Sequence, residues 1–151
     1  MTEAFHNPDR ALIQRFLDQG GQAIAIDSNP MARALGATLL RVDADKGQVA
    51  LAFEPEGLFI QGTGVLQGGA VSAMLDFAMA FATLARQPVQ GSCATAQMST
   101  AFLRPAPQGR YIAEGTVDRC GRTLAFTQAR LLHEPSGHLV ATASSSLVVL
   151  G

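Results

Sequence analysis

Gly68-Gly69-Ala70-Val71-Ser72-Ala73-Met74-Leu75-Asp76-Phe77-Ala78-Met79-Ala80-Phe81-Ala82 decides how the rest of this chain is read. Val71, Met74, Leu75, Ala78, Met79 and Ala82 recur at helical spacing and form one continuous apolar stripe, which predicts a helix over residues 69–82, opened by the glycine pair Gly68-Gly69. The remaining positions are apolar or small, and a helix apolar on every side is buried in a core or against another subunit. Between Glu56 and Arg86 the one formal charge is Asp76. Burying an unpaired carboxylate is costly or forces it to take up a proton. Asp76 is therefore the first candidate for chemistry. It lies off the stripe, beside Gly69, Ser72, Ala80 and Thr83, small residues that leave a groove along the carboxylate.

The segments on either side fix the architecture. Residues 57–69 hold five glycines and predict a loop that ends where the helix begins. Residues 37–54 read as a hairpin turning at Asp45-Lys46-Gly47. After Arg86 come four strand candidates with no helix between them, over 93–104, 110–119, 122–133 and 138–150. Short turns at Cys120-Gly121 and Pro135-Ser136-Gly137 imply an antiparallel meander. A buried central helix with a single antiparallel sheet wrapped around it is an α+β arrangement. Near the start, Asn7-Pro8 and Asn29-Pro30 are helix-opening signals, with Ile13, Phe16 and Leu17 as the apolar stripe of the first helix. Residues 1–151 thus form one domain, of which 1–35 is a helical extension.

A chain of 151 residues buries a sizeable core without staples. Apolar residues make up 48 % and charged residues 15 %, against about 25 % charged in an ordinary globular chain. So few charges imply that other subunits cover part of the surface. The net charge is −1 and the 11 Lys and Arg are scattered, which argues against nucleic acid as a partner. Cys93 and Cys120 are the only cysteines, fewer than a disulfide framework needs, and read as thiols in a reducing compartment. The opening Met1-Thr2-Glu3-Ala4-Phe5-His6-Asn7-Pro8 shows no basic-then-apolar leader, and the apolar stretch around Asp76 falls short of the roughly 20 residues of a membrane span. The expectation is a cytoplasmic protein without a membrane partner. His6, His133 and His138 read as surface residues, and no Cys/His spacing suggests a metal site.

Gln61-Gly62-Thr63-Gly64-Val65-Leu66-Gln67-Gly68-Gly69, Asp76 seven residues on, and Phe102-Leu103-Arg104-Pro105 together resemble the hotdog-fold acyl-CoA thioesterases, in particular the phenylacetate-pathway, PaaI-like branch. Gly121-Arg122-Thr123-Leu124-Ala125-Phe126-Thr127 and Gly137-His138-Leu139-Val140-Ala141 extend the resemblance over residues 59–150. The resemblance implies a hotdog fold and hydrolysis of an acyl- or aryl-CoA thioester, with coenzyme A as part of the substrate and no other cofactor or metal. It assigns the Gly68 N–H as oxyanion donor and Asp76 as nucleophile or general base. Gln61 and Thr95 become positioning groups. Gln67, Gly69, Gln97 and Phe102 become substrate contacts, and Arg119, Gly121, Arg122 and Thr123 the grip on coenzyme A. It also implies a homo-oligomer, a dimer or a homotetramer built as a dimer of dimers, in which donor and carboxylate of one site come from different subunits.

Physics supports that division of labour, because the first N–H groups of a helix lack partners and sit at the positive end of its dipole. The sequence departs from the family where its motif has His before the glycine pair, here Gln67, and Asn six residues before it, here Gln61. An acyl-CoA sensor without catalysis is the rival reading. A hotdog hydratase wants a His beside the carboxylate, and none lies between His6 and His133. Phe59, Met74, Phe77, Phe81 and Phe102 are the expected apolar lining for the acyl tail.

Overall fold

A computed structural model describes residues 6–86 and 91–151. Met1 to Phe5, read above for a leader, lie outside the described residues. In chain order the elements are α1 (Pro8–Asp18), β1 (Ile24–Ala25), α2 (Pro30–Ala34), β2 (Thr38–Asp43), β3 (Gln48–Phe53), a single 3-10 turn at Gly57–Phe59, α3 (Gly68–Arg86), β4 (Ser92–Phe102), β5 (Tyr111–Cys120), β6 (Leu124–His133) and β7 (His138–Leu150). The strands form one sheet in the order β1-β2-β3-β5-β6-β7-β4, antiparallel throughout. The sheet wraps α3, which packs against β3, β5, β6, β7 and β4. This is the hotdog arrangement.

Both N-terminal helices start as their sequences predict. Asn7 Oδ1 accepts from the Asp9 and Arg10 N–H groups at 2.9 and 3.1 Å, with Pro8 at the first helical position. Asn29 caps α2 the same way. Asn7 Nδ2 also donates to Ser92 Oγ at 2.6 Å, which ties the start of α1 to the start of β4. The buried face of α1 is Leu12, Ile13 and Phe16; Leu17, placed on that stripe by the sequence reading, is exposed. Between the two helices the extension also contributes β1 to the sheet.

α3 is longer than predicted because Thr83, Leu84, Ala85 and Arg86 continue it. The apolar stripe stops at Ala82, but no glycine or proline breaks the backbone there. Thr83 is fully buried and donates to the Met79 carbonyl at 3.0 Å, so it faces the core and not the groove beside Asp76. With 19 residues α3 is long and apolar enough to cross a membrane, which corrects the shorter reading; in this fold it is the core helix.

Nor is it buried on every side. Val71, Met74, Leu75, Ala78, Met79, Phe81 and Ala82 are buried, whereas Ser72, Ala73, Asp76, Phe77 and Ala80 form a half-buried flank. Helix and sheet backbones approach closely at Gly115 of β5. A Cβ there would stand 2.2 Å from the Ala78 carbonyl oxygen, so only glycine lets the two backbones approach.

One surface expectation fails. His133 is 7 % exposed, its ring 5.2 Å from that of the fully buried Tyr111, while His6 and His138 are exposed. Its place at the last residue of β6 turns it inward under the loop that precedes β5.

Candidate active site

The half-buried flank of α3 faces β4 in four matched steps. Gly68, Ser72, Asp76 and Ala80 are spaced four apart and so lie on one side of the helix. Opposite them stand Phe102, Thr100, Thr95 and Cys93. The Phe102 ring lies 3.5 Å from where a Gly68 Cβ would be, and Ser72 Oγ is 3.5 Å from Thr100 Oγ1. Thr95 Oγ1 donates to Asp76 Oδ1 at 2.7 Å, and Cys93 Sγ is 3.8 Å from the Ala80 carbonyl oxygen. Small side chains on α3 are what let β4 come this close. Ser72, Thr100 and Cys93 are not among the predicted site residues, although the four-residue spacing around Asp76 carries the signal for Ser72.

Asp76 has the surroundings of a usable carboxylate. None of the ion pairs among the described residues involves it. Thr95 occupies Oδ1, and Oδ2 accepts no hydrogen bond among the described residues. The neighbouring Cys93 thiol is pushed up to about 12, by burial first and by the Asp76 charge second. A thiol held protonated is a poor nucleophile, so it does not compete with the carboxylate. Neither cysteine is in a disulfide.

The glycine pair opens α3 as the sequence suggests. The Ala70 and Val71 N–H groups bond back to the Gln67 carbonyl at 2.9 and 3.2 Å, but those of Gly68 and Gly69 meet no acceptor among the described residues. Gly68 borders a cavity of about 470 Å³ whose other walls are Gln61, Val65, Leu66, Val71, Phe102–Ala106 and Val140. Gln61 Nε2 reaches the Leu66 carbonyl at 3.4 Å and helps shape the loop. Gln67 and Gly69 are exposed beside the helix start. Of the aromatic and Met residues expected to line an acyl site, Phe102 borders this cavity and Phe59, Met74, Phe77 and Phe81 do not. Met74 and Phe81 are fully buried in the core, and the Phe77 ring packs on Phe53 at 6.3 Å.

Other predicted residues lie apart from these. A bulge between Thr95 and Gln97 breaks the alternation of β4, so Gln97 pairs with Ser146 and borders a shallow depression with Phe126 and Ser144. It therefore faces away from Asp76, whereas simple alternation puts Thr95 and Gln97 on one side. Arg119, Gly121, Arg122 and Thr123 are exposed in and beside the β5–β6 turn. That turn is bonded to β7 by the Val149 N–H to the Thr123 carbonyl, and Val149 pairs with Cys93. The turn thus sits at the Cys93 end of the α3–β4 groove, away from the Gly68 end. Among the described residues no group of three His, Cys, Asp or Glu side chains converges on a possible metal position.

Within one chain the two candidate positions are far apart. Asp76 is eight residues from Gly68, about 12 Å along a helix, and it does not border the Gly68 cavity.

The profile of the Thioesterase superfamily matches residues 63–140, a span that contains both Gly68 and Asp76. A phenylacetic acid degradation-related protein from Ralstonia eutropha JMP134 is similar in structure, with a TM-score of 0.76 and 28 % identity over 89 % of this chain and 97 % of that one. A mutant of the phenylacetic acid degradation protein PaaI from Thermus thermophilus gives 0.69 and 25 % over 80 % and 98 %. The PaaI protein from the E. coli phenylacetic acid degradation operon has a TM-score of 0.76 over 97 % of each chain, but at 17 % identity it shares the fold alone. No curated protein matches the chain in sequence.

Proposed function

Since the chain belongs to the thioesterase superfamily and is a thioester hydrolase, we propose that it cleaves an acyl- or aryl-CoA to the carboxylic acid and free coenzyme A, with Asp76 as catalytic carboxylate and the Gly68 N–H as oxyanion donor. The observation that carries the reading is Asp76: among the described residues it is a carboxylate paired with no cation, oriented by Thr95 and open at Oδ2, on the helix whose first N–H groups meet no acceptor there. As general base, Asp76 takes a proton from water while the water oxygen attacks the thioester carbonyl carbon. The charge that builds on the carbonyl oxygen meets the Gly68 N–H at the positive end of α3. The C–S bond then breaks, and the proton passes to the departing sulfur. As nucleophile, the same carboxylate attacks the carbonyl carbon, the C–S bond breaks as the coenzyme A thiolate leaves and takes up a proton, and water then opens the resulting anhydride to the acid and the free Asp76 carboxylate. An apolar acyl tail suits the cavity walls of Val65, Leu66, Val71, Phe102 and Val140.

Separation of donor and carboxylate by about 12 Å in one chain supports a site completed by a second copy. β4 supports it too: an eleven-residue edge strand of sequence SCATAQMSTAF has neither proline nor charge to keep another strand away. Arg119 and Arg122 suit coenzyme A phosphates, which a guanidinium fork can hold bidentately.

Incubating the protein with a panel of aryl- and medium-chain acyl-CoA thioesters and a thiol reagent tests the proposal. Release of coenzyme A from at least one of them is expected. Binding without release would make it an acyl-CoA sensor.

A further inference from the structure

The glycine-rich loop that delivers Gly68 is held from outside by the segment before β5, and that segment is held by His133. Residues 61–64 are exposed, and Gly64 has φ +86°, so little but hydrogen bonding fixes the loop. Three of those bonds are internal: the Gln61 N–H to the Val65 carbonyl at 2.8 Å, the Gly64 N–H to the Gln61 carbonyl at 2.9 Å and Gln61 Nε2 to the Leu66 carbonyl at 3.4 Å; the Gln67 N–H donates to the Phe59 carbonyl at 2.8 Å. Two more come from residues 106–108. The Leu66 N–H donates to the Ala106 carbonyl at 2.8 Å, and Gln108 Nε2 donates to the Gly64 carbonyl at 3.1 Å.

Residues 106–108 are themselves pinned from below. The Tyr111 hydroxyl donates to the Pro107 carbonyl, and burial keeps it a phenol by pushing its pKa up to about 12. His133 Nε2 lies 3.2 Å from the Gln108 carbonyl oxygen, and since a carbonyl only accepts, Nε2 carries the proton. Nδ1 lies 2.8 Å from Ser136 Oγ, which holds the other side of the ring. Gly109 makes the room: its φ is +138°, and a Cβ there would stand 2.9 Å from His133 Nε2. Outside, Arg110 closes the same corner with two bonds to Glu134, at 2.6 and 2.9 Å.

We propose that His133 is a positioning residue for the oxyanion donor: it fixes Gln108 by its carbonyl, and the Gln108 side chain fixes Gly64 in the loop that aims the Gly68 N–H. The inference rests on Gly68 being that donor. An oxyanion donor works only within a few tenths of an ångström of its distance to the developing charge. Loosening the loop therefore costs turnover more than substrate binding, which the cavity walls supply.

Five proteins decide it: wild type, Gln108→Ala, His133→Asn, the double variant Gln108→Ala/His133→Asn, and His133→Gln. A glutamine amide reaches the Nε2 position and can keep the bond to the Gln108 carbonyl; an asparagine amide ends near Nδ1 and keeps only Ser136. Coenzyme A release from the best substrate of the panel should show kcat reduced about tenfold in Gln108→Ala and His133→Asn, with KM within about twofold. The double variant should be no worse than either single one, and His133→Gln should stay within about twofold of wild type. Amide exchange at Gly64 and Leu66 should quicken in the first two variants and not in His133→Gln. Unchanged kcat in folded Gln108→Ala, a loss carried by KM alone, or equal losses in both His133 variants would overturn the proposal. Should His133→Asn not fold, Gln108→Ala, an exposed side chain, decides alone. A wild type that releases no coenzyme A sinks the thioesterase reading instead. Amide exchange then still tests the tie, which fails if Gly64 and Leu66 exchange at the wild-type rate in every variant.

Discussion

Asp76→Asn is expected to lower kcat for coenzyme A release by at least about a hundredfold, the usual range for loss of a general base. Asparagine has nearly the same shape and keeps an oxygen to accept from Thr95 Oγ1, so the α3–β4 contact survives. What it loses is basicity and charge at the open oxygen. No cation is left unpaired, because none among the described residues pairs with Asp76. Helicity and oligomer mass should therefore match wild type, and KM should move little. A folded Asp76→Asn protein that turns over at more than a tenth of the wild-type rate would remove Asp76 from the chemistry.

The largest structural effect is expected from Gly115→Ala. The added methyl would meet the Ala78 carbonyl oxygen at 2.2 Å and its carbon at 2.6 Å, and both are helix backbone. Backbone cannot swing aside as a side chain can, so α3 must lift off β5 and give up packing along Ala78, Met79 and Ala82. Overpacking of this kind costs about 3 kcal/mol, at the upper end of its usual range. Gly62→Ala is the control: no atom lies within 4 Å of its Cβ position, and its φ is not left-handed. Urea unfolding should show a large drop in midpoint for Gly115→Ala and a shift within about 0.5 kcal/mol for Gly62→Ala. Equal midpoints would contradict the close helix–sheet approach.

The helix, the meander and the first hairpin are legible because each is written locally. Asp45-Lys46-Gly47 marks the β2–β3 turn, and the apolar stripe of Val71, Met74, Leu75, Ala78 and Met79 is buried as its spacing predicts. Asp76 stands out as a lone charge, and Gly68 as half of a glycine pair. Thr95 enters only through the family resemblance, since a threonine in a strand says nothing of what it faces. The bulge that turns Gln97 away from Asp76 leaves no mark in alternating small residues. His133 reads as a surface residue because its burial depends on residues 106–111, which fold over it from a different strand end. Such long-range contacts have no sequence period to betray them.

The proposed mechanism requires Gly68 of one copy and Asp76 of another in each working site. Gly68→Pro removes the donor while keeping a residue that the first turn of a helix accepts. Gly68→Pro and Asp76→Asn should each be inactive alone. Refolded together at equal amounts, they should recover about a quarter of wild-type activity, because half the dimers are hybrids with one intact site of two. A mixture no more active than its separate components, with hybrids demonstrated by mass, would contradict it.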